Sequence, residues 1–162
     1  MSQNVSVLFV CMGNICRSPA ADGLFADLVR QQDLHEHIRV DSAGTHSYHI
    51  GNGADPRMRE AASRRGFDLT SRARQVVSED LRTFDLVIAM DRENLTIIES
   101  LDDEPETRLA EVCLFSRFLD DSWPTDVPDP YYGGQDGFEY VLDMVEAGCP
   151  GILTWLKQRM ES

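Results

Sequence analysis

The feature that most constrains this chain is the run Val5 to Val10, which ends at Cys11 and passes into the polar segment CMGNICRSP. The run is short, apolar and rich in β-branched residues, as in a strand buried on both faces. Ser18-Pro19 then reads as a helix start, because a proline in the first turn gives up an N–H that no carbonyl of the helix needs. Ala21, Leu24, Phe25, Leu28 and Val29 recur behind it at helical spacing. A loop that leaves a buried strand and enters a helix N-terminus points backbone N–H groups and the positive end of the helix dipole at one spot, and that spot attracts an oxyanion.

The same alternation continues. Ile38 to Ser42 reads as a second strand with Gly44 as a turn beyond it, and Pro56 to Arg65 as a helix closed by Gly66. Ser78 is expected to cap a short helical turn before Leu86 to Met90, a third buried strand. Asp91 caps a helix running to about Leu101, and Val112 to Phe115 is a fourth strand. Asp120 to Gly134 carries three prolines and two glycines and reads as loop. Gly137 to Met160 is helical in period, but Gly148-Cys149-Pro150-Gly151 is expected to kink or divide it. Strands alternating with helices argue for an α/β domain, a parallel sheet covered on both faces, with ligands at the carboxyl ends of the strands. At 162 residues a single domain over 1–162 is expected.

Charge narrows the partners. A net charge of −13, from 28 acidic and 15 basic residues, disfavours nucleic acid and anionic membrane, both of which need a basic face. Any anion must therefore be captured by local geometry. Cysteines at 11, 16, 113 and 149 lack the density and spacing of a secreted disulfide framework, and no signal peptide is evident in MSQNVSVLFV, so a cytoplasmic setting is expected. Histidines 35, 37, 46 and 49 form no ligand constellation with cysteine or carboxylate, so neither a metal nor a cofactor is expected.

Within the loop, Met12, Gly13, Asn14, Ile15, Cys16, Arg17 and Ser18 are the expected phosphate-binding residues. Gly13 supplies backbone freedom, Asn14 holds the loop shape through its amide, and Arg17 offers a planar fork of donors matched to two phosphoryl oxygens. Cys11, at the loop start, is the candidate nucleophile. The field that binds phosphate also favours a thiolate, and Ser18 can donate a hydroxyl hydrogen bond to the sulfur.

CMGNICRSP and DPYYGG, with VDSAGT, SRARQV and FDLVIAMD between them in order, resemble the low-molecular-weight protein tyrosine phosphatase family over essentially the whole chain. The resemblance implies a three-layer fold with a four-stranded parallel sheet, helices on both faces and the phosphate-binding loop after the first strand. It implies hydrolysis of phosphotyrosine through a phosphocysteine, without a metal. Matched residue by residue, Cys11 is the nucleophile, Arg17 the phosphate clamp, Asp129 the general acid and base, and Asn14, Ser18 and Ser42 the supporting network. Pro128 and Pro130 flank Asp129 and pre-set its backbone. Asp22 stands where the family usually carries glutamate.

The resemblance further implies a cleft walled by Tyr131 and Tyr132 on one side and by Tyr48 and His49 on the other, deep enough to favour phosphotyrosine over phosphoserine. Ile15 points the same way, since related phosphoarginine phosphatases typically place threonine there. The implied partner is a phosphotyrosine-containing protein, a bacterial tyrosine kinase being one candidate, with inorganic phosphate as product. Cys16, five positions after Cys11, is a candidate for a reversible redox disulfide with it. Arsenate reductase is the nearest rival, but no cysteine lies between Cys16 and Cys113 to relay a disulfide. A phosphotyrosine-binding module or a thiol redox protein would not require Asp129.

Overall fold

The computed structural model describes residues 4–131 and 134–161. Four strands, β1 (Val5–Cys11), β2 (Ile38–Gly44), β3 (Leu86–Ala89) and β4 (Glu111–Leu114), form one sheet in the order β2-β1-β3-β4, every neighbouring pair parallel. The helices are α1 (Arg17–Gln31), α2 (Pro56–Arg64), α3 (Asp80–Thr83), α4 (Arg92–Ser100) and α5 (Gln135–Glu161). All seven residues of β1 are buried, as the apolar run demands. Its side chains alternate between two cores: Val5, Val7 and Phe9 pack with residues of α1, α2 and α5, while Leu8 and Val10 pack with Leu81 of α3 and Ile98 of α4. That alternation makes the three layers. β1 is followed by α1 and β2 on one side and meets β3 on the other, so the chain diverges at its carboxyl end. This switch point is where open parallel sheets leave a crevice.

Several boundaries differ from those expected. β2 runs on through Ala43 to Gly44, and Gly44 is no turn. A Cβ there would stand 2.8 Å from the Met12 carbonyl oxygen and 3.1 Å from the Asn14 nitrogen, so its smallness admits the loop after β1. The expected Ser78 cap does not form; α3 starts at Asp80, whose carboxylate accepts from the Val77 N–H at 2.8 Å. Asp91 does cap α4, accepting from the Asn94 N–H at 2.8 Å.

α5 is continuous over 27 residues, so the Gly-Cys-Pro-Gly cluster does not divide it. Gly148 is buried, and a Cβ on it would lie 2.6 Å from the Phe115 ring; the glycine lets the helix approach the end of the sheet. Pro150 sits on the exposed side, as does Glu146, whose carbonyl loses its i+4 helical donor because proline has no N–H. Burial of α5 against α1 and the sheet outweighs that one missing hydrogen bond. Among the described residues, no helix is long and apolar enough to cross a membrane.

Candidate active site

The loop from Met12 to Cys16 curls at the carboxyl end of β1 and closes on its own first residue. The Asn14 N–H donates to Cys11 Sγ at 3.3 Å, and Ser18 Oγ lies 3.0 Å from the same sulfur. The curl is possible because Asn14 takes a left-handed backbone, φ +59°. Asparagine tolerates that region because its short side chain can bond locally. Here Asn14 Nδ2 donates to Ser18 Oγ at 2.8 Å, and its Oδ1 accepts from the Arg74 N–H at 3.0 Å. Gly13, expected to supply the conformational freedom, has no positive φ. What it supplies is space, since a Cβ would meet the His49 ring at 3.0 Å.

The outward carbonyls of the loop are tied down. Cys11, Met12 and Ile15 accept from the N–H groups of Thr45, His46 and Asp55 at 2.9, 3.0 and 2.7 Å. The N–H groups of Gly13, Ile15 and Cys16 have no partner among the described residues. Unpaired donors at a helix start, beside a buried thiol, are the makings of an oxyanion site.

Arg17, only 3% exposed, opens α1. Its Nη1 donates to Asp91 Oδ2 at 2.6 Å and to the Val127 carbonyl at 3.1 Å, and Nη2 stands 3.8 Å from Asp129 Oδ2. Burial works against its charge, but Cys11, Asp91 and Asp129 around it raise its pKa overall. Asp91 is thus both the cap of α4 and the anchor of Arg17. Only the first role is visible in the sequence; the second needs the ends of β1 and β3 to be adjacent.

The segment carrying Asp129 is pinned from behind. Val127 donates its N–H to the Met90 carbonyl at 2.9 Å, and the Asp126 carboxylate accepts from the Arg92 N–H at 3.0 Å and from its guanidinium. Asp129 Oδ1 accepts from the Tyr131 N–H at 3.0 Å. These bonds, with the two prolines, set the carboxylate over the loop.

Cys11, Met12, Gly13, Ile15, Cys16, Arg17, Tyr48, His49, Asp129 and Tyr131 line one cleft of about 260 Å³. The His49 and Tyr131 rings are 6.1 Å apart at a tilt, and Tyr48, 72% exposed, stacks on His46 at the rim. Tyr132 lies outside the described residues. One grouping is corrected. Ser42 does not bond Asn14 or Ser18; it donates to Asp22 at 2.9 Å, one turn further along α1 than Ser18. Burial raises the Asp22 pKa to about 6 despite that hydrogen bond. All four cysteines are free, and burial, then Asp55 and Cys11, push the Cys16 thiol well up.

The family model described as low molecular weight phosphotyrosine protein phosphatase matches residues 6–162. A low molecular weight protein-tyrosine-phosphatase of Streptomyces coelicolor is 41% identical over 96% of this chain and 95% of its own. A crystal structure of a protein tyrosine phosphatase from Entamoeba histolytica, with Hepes in its active site, superposes with a TM-score of 0.88 at 39% identity, covering 96% of this chain and 98% of that one. A Drosophila arginine phosphatase superposes at 0.85 with 28% identity, covering 97% and 98%.

Proposed function

The chain belongs to the low molecular weight phosphotyrosine protein phosphatase family and is a protein tyrosine phosphatase, and from that premise we propose that it works through a phosphocysteine on Cys11. The observation that carries this reading is the Cys11 sulfur on the floor of the cleft, facing the Asn14 N–H and the Ser18 hydroxyl, with Arg17 and Asp129 at its edge. Hydrogen bonds to the sulfur serve the thiolate, which is the nucleophile. It attacks phosphorus in line; the S–P bond forms as the P–O bond to the tyrosyl oxygen breaks. Arg17 and the unpaired loop N–H groups hold the equatorial oxygens. Asp129, protonated, gives its proton to the leaving phenolate. As carboxylate it then takes a proton from water, whose oxygen attacks phosphorus; the S–P bond breaks, the thiolate is restored and inorganic phosphate leaves.

Tyr131, Tyr48 and His49 line the cleft, aromatic surface that suits a phenyl ring better than the short serine side chain. Ile15 at the base supports phosphotyrosine over phosphoarginine, although an arginine phosphatase shares the fold. Peptides carrying phosphotyrosine, phosphoserine or phosphoarginine, assayed with a chelator present, test this directly. Chelator-resistant hydrolysis of phosphotyrosine alone is the expected result; preferential phosphoarginine hydrolysis would reassign the substrate. An autophosphorylated bacterial tyrosine kinase is a substrate of the right chemistry.

A second reading concerns oxidation. Peroxide would convert the Cys11 thiolate to a sulfenic acid, and the Cys16 thiol in the same cleft would condense with it to a disulfide, releasing water. Mass spectrometry after mild peroxide is expected to find a Cys11–Cys16 bond; irreversible Cys11 sulfinate in its place would reject it.

A further inference from the structure

A second cavity, about 480 Å³, adjoins the cleft and shares Ile15, His49 and Tyr131 with it. Its other lining residues include Asn52, Asp55, Arg59 and Arg72. In so acidic a chain arginines are normally neutralised. Of the 14, 11 pair with carboxylates among the described residues. The three that do not are Arg39, Arg59 and Arg72. Arg39 lies over the Phe84 ring at 4.4 Å, away from the cleft. Arg59 and Arg72 both fall on this one cavity.

The surroundings hold them there. Arg59 is in the first turns of α2, and Arg72 is bridged through its backbone to Gly53 while its Nη1 donates to the Gly51 carbonyl at 3.2 Å. The Gly51 and Ala73 N–H groups bond across the same pair of segments at 2.8 Å each. Asp55, the one carboxylate of the lining, is already matched: its oxygens accept from the Arg57 guanidinium at 2.9 and 3.1 Å, which holds its pKa down. The cavity therefore has an excess of positive charge beside the cleft.

We propose that this cavity is a substrate subsite for an anionic group next to the phosphotyrosine, an acidic side chain or a second phosphate, bound by Arg59 and Arg72. It rests on the phosphotyrosine reading of the adjoining cleft and extends it to what flanks the phosphorylated residue. Exposed arginines contribute modestly each, and two acting on one anion give a preference of roughly three- to ten-fold.

The test is kcat/KM of the full chain on matched phosphotyrosine peptides that carry glutamate, glutamine or a second phosphotyrosine at each neighbouring position in turn. The wild type is expected to favour an anion at one position, mainly through KM, with the preference shrinking at high salt. The larger of the glutamate and phosphate effects identifies the natural anion. The preference, taken as a ratio within each variant, is expected to collapse in R59Q/R72Q and to persist in R39Q. Equal loss in R39Q would mean diffuse charge steering and overturn the subsite, as would an unchanged ratio in the double variant. Hydrolysis of all phosphotyrosine peptides without charge preference overturns the subsite alone; hydrolysis of none overturns the reading it rests on.

Discussion

At the scale of single residues, the site is a set of side chains each held by something other than the substrate. Cys11 is placed by a buried strand, Asn14 by Ser18 and Arg74, and Arg17 by Asp91. Cys11→Ser and Arg17→Ala are expected to abolish turnover, whereas Asp129→Ala should slow it by about 10²–10⁴ and chiefly for poor leaving groups, read as kcat across aryl phosphates of graded leaving-group acidity. Asp91→Asn keeps an oxygen for the α4 cap but removes the charge that aims Arg17. A fall in kcat/KM of about ten-fold or more is expected, with a small loss in Tm. A Tm loss with unchanged kcat/KM would show that Arg17 needs no such anchor. That Cys11, Arg17 and Asp129 belong together could be read from the sequence, because CMGNICRS and DPYY are local patterns, and the three do line one cleft; their roles in it are the proposal. The left-handed residue was not: glycine is the usual occupant, and only the hydrogen bonds to Ser18 and Arg74 explain why Asn14 takes that conformation and Gly13 does not.

At the scale of elements, β1 and α1 could be read from sequence because a fully buried run and a helical stripe need no tertiary knowledge. The continuity of α5 could not, because it depends on what the cluster packs against. Gly148 meets Phe115 and Pro150 meets solvent, so two substitutions in one cluster are expected to act in opposite directions. Gly148→Ala should destabilise by about 1–3 kcal/mol through overpacking against the Phe115 ring. Pro150→Ala should stabilise by about 1–3 kcal/mol by returning an N–H to the Glu146 carbonyl. Denaturant unfolding of both variants checks the pair; stabilisation by Gly148→Ala would mean the ring yields freely. Gly44 belongs to the same class of misreading. It looked like a turn glycine, and it is the floor under the Met12 to Asn14 backbone.

At the scale of the molecule, stability draws on charges of opposite habit. Asp126 and Glu139 have pKa values lowered by Arg92 and Arg65, so their contributions are present at neutral pH and are lost as pH falls through the carboxylate range. Asp22 runs the other way. Its folded pKa of about 6 exceeds the ordinary 3.8, so the folded protein holds this proton more tightly than the unfolded chain. Its favourable contribution is complete below about 4 and fades as pH rises to about 6, a change of roughly 2–3 kcal/mol. Asp22→Asn is expected to remove that fade, raising Tm at pH 7 relative to wild type and leaving Tm near pH 4 little changed; equal shifts at both pH values would place the effect elsewhere. The whole account converges on one covalent bond at the end of β1. Asp129→Ala mixed with an aryl phosphate that needs no acid for departure, then quenched in acid, should accumulate a phosphoenzyme because the hydrolytic step lacks its base. Peptide mapping is expected to find the phosphoryl group on Cys11. Steady hydrolysis with no phosphoenzyme, or the phosphoryl group on any other residue, would contradict the account.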